Sequence, residues 1–167
     1  EQRLAEGVDE AHVGDARATE MGQGGEWNIG QLARASYGDD AILIGFTTYD
    51  GTVTAAANWD APAERKNVRA AHPDSYEALF YAVDCPRFFL TLRDKAAIAA
   101  LDEPRLERAI GVIYLPESER QSHYFHARLA HQFDAVIHFD RTRAVEPLEK
   151  SAAWIAGEVP ETYPTGI

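Results

Sequence analysis

The sequence has one cysteine, no long apolar run and no excess of basic residues, and each shortage removes a class of answer. Cys85 alone cannot close an intrachain disulfide, and that count fits a reducing, cytoplasmic setting. No apolar stretch approaches the ~18 residues that a spanning helix needs, and no signal peptide is read from Glu1 onward. Sixteen Lys and Arg stand against 27 Asp and Glu, for a formal net charge of −11. Nucleic acid and anionic membrane both need a positive footprint, and no Lys/Arg run supplies one, so neither is expected as a partner. Gly-x-Ser-x-Gly is missing, and none of Ser36, Ser75, Ser118, Ser122 and Ser151 sits on a strand-to-helix elbow. Gly22-Gln23-Gly24-Gly25 has no strand before it and no Lys-Ser/Thr after it, which excludes a phosphate loop.

What is present reads as one globular domain. A chain of 167 residues buries roughly 70% of its unfolded surface, and 46% hydrophobic with 26% charged residues is ordinary for such a domain. Residues 1–11 are polar and read as poorly ordered, and Gly22–Gly25 reads as the end of a first loop. Asn28 is placed to cap a helix through Ile29, Leu32 and Ala33, stopped at Gly38-Asp39-Asp40. Residues 41–46 read as a buried strand, Tyr49-Asp50-Gly51-Thr52 as a hairpin turn, and Val53 with its neighbours as the returning strand. Residues 57–73 read as irregular. Asp74 or Ser75 caps a helix through Tyr76, Leu79, Phe80 and Val83. Strands are expected at 87–92 and 108–114 and a helix at 94–101. In 133–139 Phe133, Ala135, Ile137 and Phe139 share one face, and Asp134, Val136 and His138 the other. A helical patch surrounds Trp154. The expectation is an α/β fold: a single domain with a mixed β-sheet layered with short helices.

The segment with the densest chemistry is His12-Val13-Gly14-Asp15-Ala16-Arg17. Gly14 permits a tight bend, so His12 and Asp15 can face one cavity. An imidazole titrates near neutrality and, with partners to orient it, moves protons. Arg17 offers planar donors to a carboxylate or a developing oxyanion; an exposed Asp15–Arg17 loop salt bridge of little energetic consequence is the alternative. His123, His126 and His131 form H-x2-H-x4-H. On a strand His123 and His126 point to opposite faces, a poor spacing for a metal, so none is expected. His126 and His131 read as surface residues, and His138 as a half-buried, hydrogen-bonded histidine. Cys85, beside Pro86, reads as a packing residue. Tyr49, Trp27 and Trp59 are candidates for an apolar wall around a bulky ligand.

Nine segments in order resemble the erythromycin esterase family: 12–21 (HVGDARATEM), 28–34 (NIGQLAR), 37–46 (YGDDAILIGF), 51–55 (GTVTA), 75–79 (SYEAL), 107–114 (ERAIGVIY), 119–124 (ERQSHY), 132–146 (QFDAVIHFDRTRAVE) and 158–164 (EVPETYP). The resemblance implies hydrolases with an α/β core and added helices. The best-known members open the macrolactone ring of erythromycin-type antibiotics and so confer macrolide resistance; a histidine general base activates water with glutamate support, and neither metal nor cofactor is needed. It implies His12 as a catalytic residue and His123 as a substrate-binding one, with a small-molecule ester as substrate; the residue chemistry adds Asp15 beside His12 as catalytic, and Arg17 and Tyr49 as substrate-binding. Family members are more than twice this length, so the chain is expected to be the C-terminal portion of a longer fold, with the N-terminal portion of the same protein as its partner. The chain departs from the family's His-Asn-x-His: the first His falls on Asp9 and the Asn on Glu10, and no apolar strand precedes them. Three readings follow: a portion of an ester hydrolase, a non-catalytic α/β binding module, or, more weakly, a metal-dependent hydrolase using the histidine cluster. A sheet edge left open at the absent strand favours self-association.

Overall fold

A computed structural model describes residues 13–146, 148 and 152–157; His12 and the segment expected to be poorly ordered lie outside them. Helices start where side chains cap them. Asn28 accepts from the Gln31 amide to open α2 (Ile29–Tyr37), which stops at Gly38 with φ +54°. Ser75 rather than Asp74 caps α3 (Tyr76–Tyr81), and Asp94 caps α4 (Lys95–Ala100). Thr19 caps a single turn, α1 (Glu20–Gln23), so Gly22 and Gln23 are helical and only Gly24 and Gly25 turn. Two further short helices, α5 (Glu119–Ser122) and α6 (Leu129–Gln132), flank the strand at 124–127, and α7 (Ala152–Ala156) follows the sheet. No helix among the described residues is long and apolar enough to cross a membrane.

The sheet corrects the strand expectations. Residues 44–55 form one strand, β1 (Ile44–Ala55), with no hairpin at Tyr49–Thr52. Gly51 takes φ +133° within it, its backbone so close to Thr142 that a Cβ has no room; the glycine serves a kink and a close approach instead of a reversal. The first half of β1 pairs parallel with β6 (Ala135–Thr142), and the second half pairs antiparallel with β2 (Glu64–Val68), inside the stretch read as irregular. β3 (Arg87–Thr91) adds antiparallel to β6, giving the order β2-β1-β6-β3. Residues 41–43 precede the strand, and Ile44 and Phe46 are exposed, so 41–46 is not a buried strand. The strand expected at 108–114 ends where it was to begin: β4 (Arg105–Arg108) pairs with β5 (Tyr124–Ala127) in a separate ribbon, and 109–115 only bridges Ala56 through Ile113.

One sheet face carries the core. Tyr76, Phe80, Leu92, Leu101, Leu129 and Phe133 pack around Val136, and Phe133 lies so near Gly45 that a Cβ there would crowd its ring. His138 belongs to this face. It is fully buried rather than half-buried, between Phe80 and Phe88. Its Nε2–H donates to Asp140 at 3.2 Å and its Nδ1 accepts from the Thr47 hydroxyl at 2.9 Å, and burial holds it below the ordinary imidazole value.

Two ionic joints lock the layers. Asp134 takes the Leu43 amide at 2.7 Å, Arg34 at 2.6 Å and Arg93 at 2.9 Å. Burial alone would raise that carboxyl, but these donors outweigh burial and hold it below the usual value. Such a group stabilises the fold above the unfolded carboxylate pKa and loses that contribution as pH falls through its depressed folded value. Acid unfolding of Asp134→Asn is therefore expected to start from a lower stability at neutral pH and to fall less steeply below about pH 4 than the parent; parallel curves would contradict this. The second joint is Arg108, nearly enclosed. Its guanidinium donates to Glu119 Oε1 at 2.7 Å, to the Arg69 carbonyl at 2.8 Å and to the carbonyls of Thr48 and Tyr49, while its amide donates to Glu77 Oε1 at 3.0 Å.

Candidate functional site

The glycine-bend segment runs into a 3-10 turn at Ala16–Ala18 that Asp15 caps. The Asp15 amide donates to the Gln132 carbonyl at 2.9 Å, which pins the segment beside the start of β6. Gly14 packs where a Cβ would strike Gln132 and Phe133, so the bend requires glycine for space. Asp15 is buried and takes a forked pair from Arg17, Nε at 2.8 Å and Nη2 at 2.5 Å, plus the Arg17 amide at 3.2 Å. Burial would raise the Asp15 carboxyl, yet hydrogen bonds from Arg17 and the charges of Arg17 and Arg34 keep it below its usual value. It is a fixed anion that orients Arg17; its own protonation is disfavoured. The Arg17 side chain is half-exposed.

A shallow concavity of about 330 Å³ opens at this pair, lined by Asp15, Arg17, Ala18, Arg128 and His131. Asp102 lies at its edge, taking the His131 Nε2 at 2.7 Å and facing Arg128 at 3.7 Å. Two guanidiniums and an imidazole thus converge within a strongly acidic chain. Such a group attracts and orients an oxygen that carries or develops negative charge. The sequence singles out neither Arg128 nor Asp102 and places His131 only at the surface, since the contact with Arg17 is tertiary and leaves no local pattern.

The remaining expected site residues lie elsewhere. His123 precedes β5 and Arg128 follows it, so four strand residues separate them, a span of roughly 16 Å. It lines a cavity of about 370 Å³ with Glu20, Met21, Trp59 and Tyr124. Its Nε2 accepts from the Leu115 amide at 3.3 Å and its Nδ1–H donates to the Ala109 carbonyl at 3.2 Å. Burial lowers it, against the pull of Ala109 and Glu119. Both ring nitrogens are taken, so His123 offers that cavity a wall and no free base. Tyr49 stacks on Tyr81 at 3.8 Å, near the end of the β1–β6 pairing, and does not line the concavity at Asp15. Trp59 shares the His123 cavity and Tyr49 does not, so the aromatic residues form no common wall there.

The three histidines of H-x2-H-x4-H disperse. His126 pairs with Glu20 at 3.0 Å, His131 with Asp102, and both are exposed, as expected of surface residues. Among the described residues no three His, Cys, Asp or Glu side chains gather as a metal set. Cys85, expected to pack, is exposed.

Comparison with known proteins gives three results. A family model described as erythromycin esterase matches residues 9–142. A Bacillus cereus protein of known crystal structure is 22% identical, with a TM-score of 0.65 over 80% of this chain and 32% of its own. The crystal structure of a succinoglycan biosynthesis protein is 19% identical, with a TM-score of 0.62 over 80% of this chain and 32% of its own. At these identities the likeness is one of fold. The chain spans about a third of the length of the two structures it matches.

Proposed function

The chain belongs to the erythromycin esterase family, and on that premise we propose that it supplies one wall of the active site of an esterase-like hydrolase. In this reading water attacks a cyclic or bulky carboxylic ester of the macrolactone type. His12 assists as general base or polarises the carbonyl, Arg17 holds the ester oxygens, and Asp15 positions Arg17. The observation that carries the proposal is the buried Asp15 carboxylate gripping Arg17 through two parallel hydrogen bonds at the rim of a concavity. The grip keeps a planar donor group facing that space without spending substrate binding energy on orienting it. Arg128 adds a second guanidinium to the same wall, and His131 an imidazole. No step requires a metal or an organic cofactor.

The test is ester hydrolysis by the protein expressed from its complete gene, with Arg17→Ala and Asp15→Asn beside the parent. Loss of one charge-assisted donor pair is worth roughly 1.5–3 kcal/mol, so kcat/KM for Arg17→Ala is expected to fall about ten- to hundredfold. Asp15→Asn, which keeps the shape and loosens the grip, is expected to fall less. Parent-like kcat/KM in both variants removes this wall from the reaction. Absence of turnover on any ester by the parent would leave the chain as a non-catalytic binding module.

A further inference from the structure

A cavity beside β1 lies apart from the Asp15–Arg17 concavity and shares no lining residue with it. It measures about 310 Å³ and is walled by apolar side chains, among them Phe46 and Val53 of β1, Phe139 of β6, and Ile110. Much of its polar lining is already engaged within the protein. The Thr48 hydroxyl donates to the Asp50 carbonyl at 3.0 Å, the Thr54 hydroxyl donates to the Val145 carbonyl at 2.6 Å, and the Thr52 hydroxyl accepts from the Ala144 amide at 2.9 Å. Arg108, also in the lining, commits its guanidinium to Glu119 and to the carbonyls of Arg69, Thr48 and Tyr49. Glu77 differs from these. It is 1% exposed, its Oε1 takes the Arg108 amide at 3.0 Å, and its Oε2 has no hydrogen-bond partner from the protein.

A buried acceptor without a partner carries its full desolvation cost, and Glu77 lines a space that holds far more than a single water molecule. Apolar walls around a few unmet polar atoms are the make-up of a small-molecule site. The charges set the class of molecule. Two buried carboxylates, Glu77 and Glu119, stand against the one buried guanidinium of Arg108, which is taken by Glu119. Arg143 lines the cavity as well, but it is exposed, where water and salt screen its charge. Burial pushes the Glu77 carboxyl up against the opposing charge of Arg108, and a cation at Oε2 adds to that opposition. We propose that this cavity binds a small amphiphilic amine, whose ammonium donates to Glu77 Oε2 and whose apolar body lies against Phe46 and Phe139. The site takes no part in the hydrolytic reading, and its test uses no activity.

The experiment is calorimetric titration of the protein expressed from its complete gene with phenethylamine at neutral pH, beside phenethyl alcohol, which has the same shape and no charge. The amine is expected to saturate one site with Kd about 1 mM or tighter, the reach of so small a ligand, and the alcohol to bind at least about tenfold more weakly. Glu77→Gln keeps an acceptor for the Arg108 amide and replaces Oε2 by a donor group; it is expected to weaken amine binding at least about tenfold. Val145→Trp serves should Glu77→Gln fail to fold. Val145 lines the cavity yet is 78% exposed, so the indole narrows the space without touching the buried charges, and amine binding is expected to weaken to a similar extent. Three results would overturn the proposal: no saturable amine binding by the parent, alcohol binding as tight as amine binding, or parent-like amine binding in either variant.

Discussion

Replacing Arg108 by leucine lowers the unfolding free energy by about 3–5 kcal/mol, the cost of stripping one partner from a buried ion pair. The reason lies in what is left behind. Arg108 and Glu119 are almost wholly enclosed, 2% and 1% exposed at the side chain, and Glu77 is buried against the Arg108 amide. Burial pushes the Glu77 carboxyl up, and the Arg108 charge is the first force opposing that rise. Without the guanidinium, Glu119 loses its 2.7 Å donor, and the carbonyls of Arg69, Thr48 and Tyr49 lose theirs. An unpartnered buried acceptor costs its full desolvation penalty, about 1–3 kcal/mol each. Equilibrium urea unfolding measures the loss. Arg108→Leu combined with Glu119→Gln is expected to lose less than the sum of the two single changes, because the second removes the anion that the first leaves stranded. A cost under about 1 kcal/mol for Arg108→Leu would mean that water reaches the cluster and that the joint between sheet and ribbon is not ionic.

His12→Ala is expected to lower kcat for ester hydrolysis about 10²- to 10⁴-fold in the protein expressed from its complete gene, the range for removing a general acid–base group. Folding should be unaffected, since the bend downstream is held by the Asp15 amide on Gln132 and by the close packing of Gly14. The contrast with Arg17→Ala is informative. A group that moves a proton in the transition state lowers kcat, whereas one that binds ester oxygens in both ground and transition states raises KM first. A His12→Ala variant with the parent's kcat and a raised KM would reassign His12 from proton transfer to binding.

Local chemistry was the legible part of the fold. Asn28 and Ser75 each announce a helix because the cap is made within three residues; the helix after Asp94 was legible from its Ala-rich run, and the structure adds Asp94 as its cap. The Asp15–Arg17 fork was legible for the same reason, being a contact between residues two apart. Asp50-Gly51 misled because a glycine with positive φ serves a kink beside Thr142 as well as it serves a hairpin. Only the long-range parallel pairing with β6 distinguishes the two, and nothing local encodes it. β2 hid because three of its five residues are Glu64, Arg65 and Lys66. Lys66 is buried yet keeps its head against Glu64 at 3.2 Å, which charge counting does not foresee. In β6 the alternation was plain, but the core takes the face of Val136 and His138, and the face of Ile137 and Phe139 is turned outward. Hydrophobicity alone favours the opposite choice. Arg128, His131 and Asp102 reach the concavity by tertiary packing, so no spacing in the chain connects them to Arg17.

The most direct test is the pH profile of kcat/KM for ester hydrolysis by the protein from its complete gene, parent against His12→Ala. A general base that acts as a neutral imidazole gives the parent an acid limb in the range where imidazoles titrate, about pH 6–7; the variant is expected to be slow and to lack that limb. A variant that keeps both the parent's rate and its acid limb would show that this segment is no part of a water-activating site.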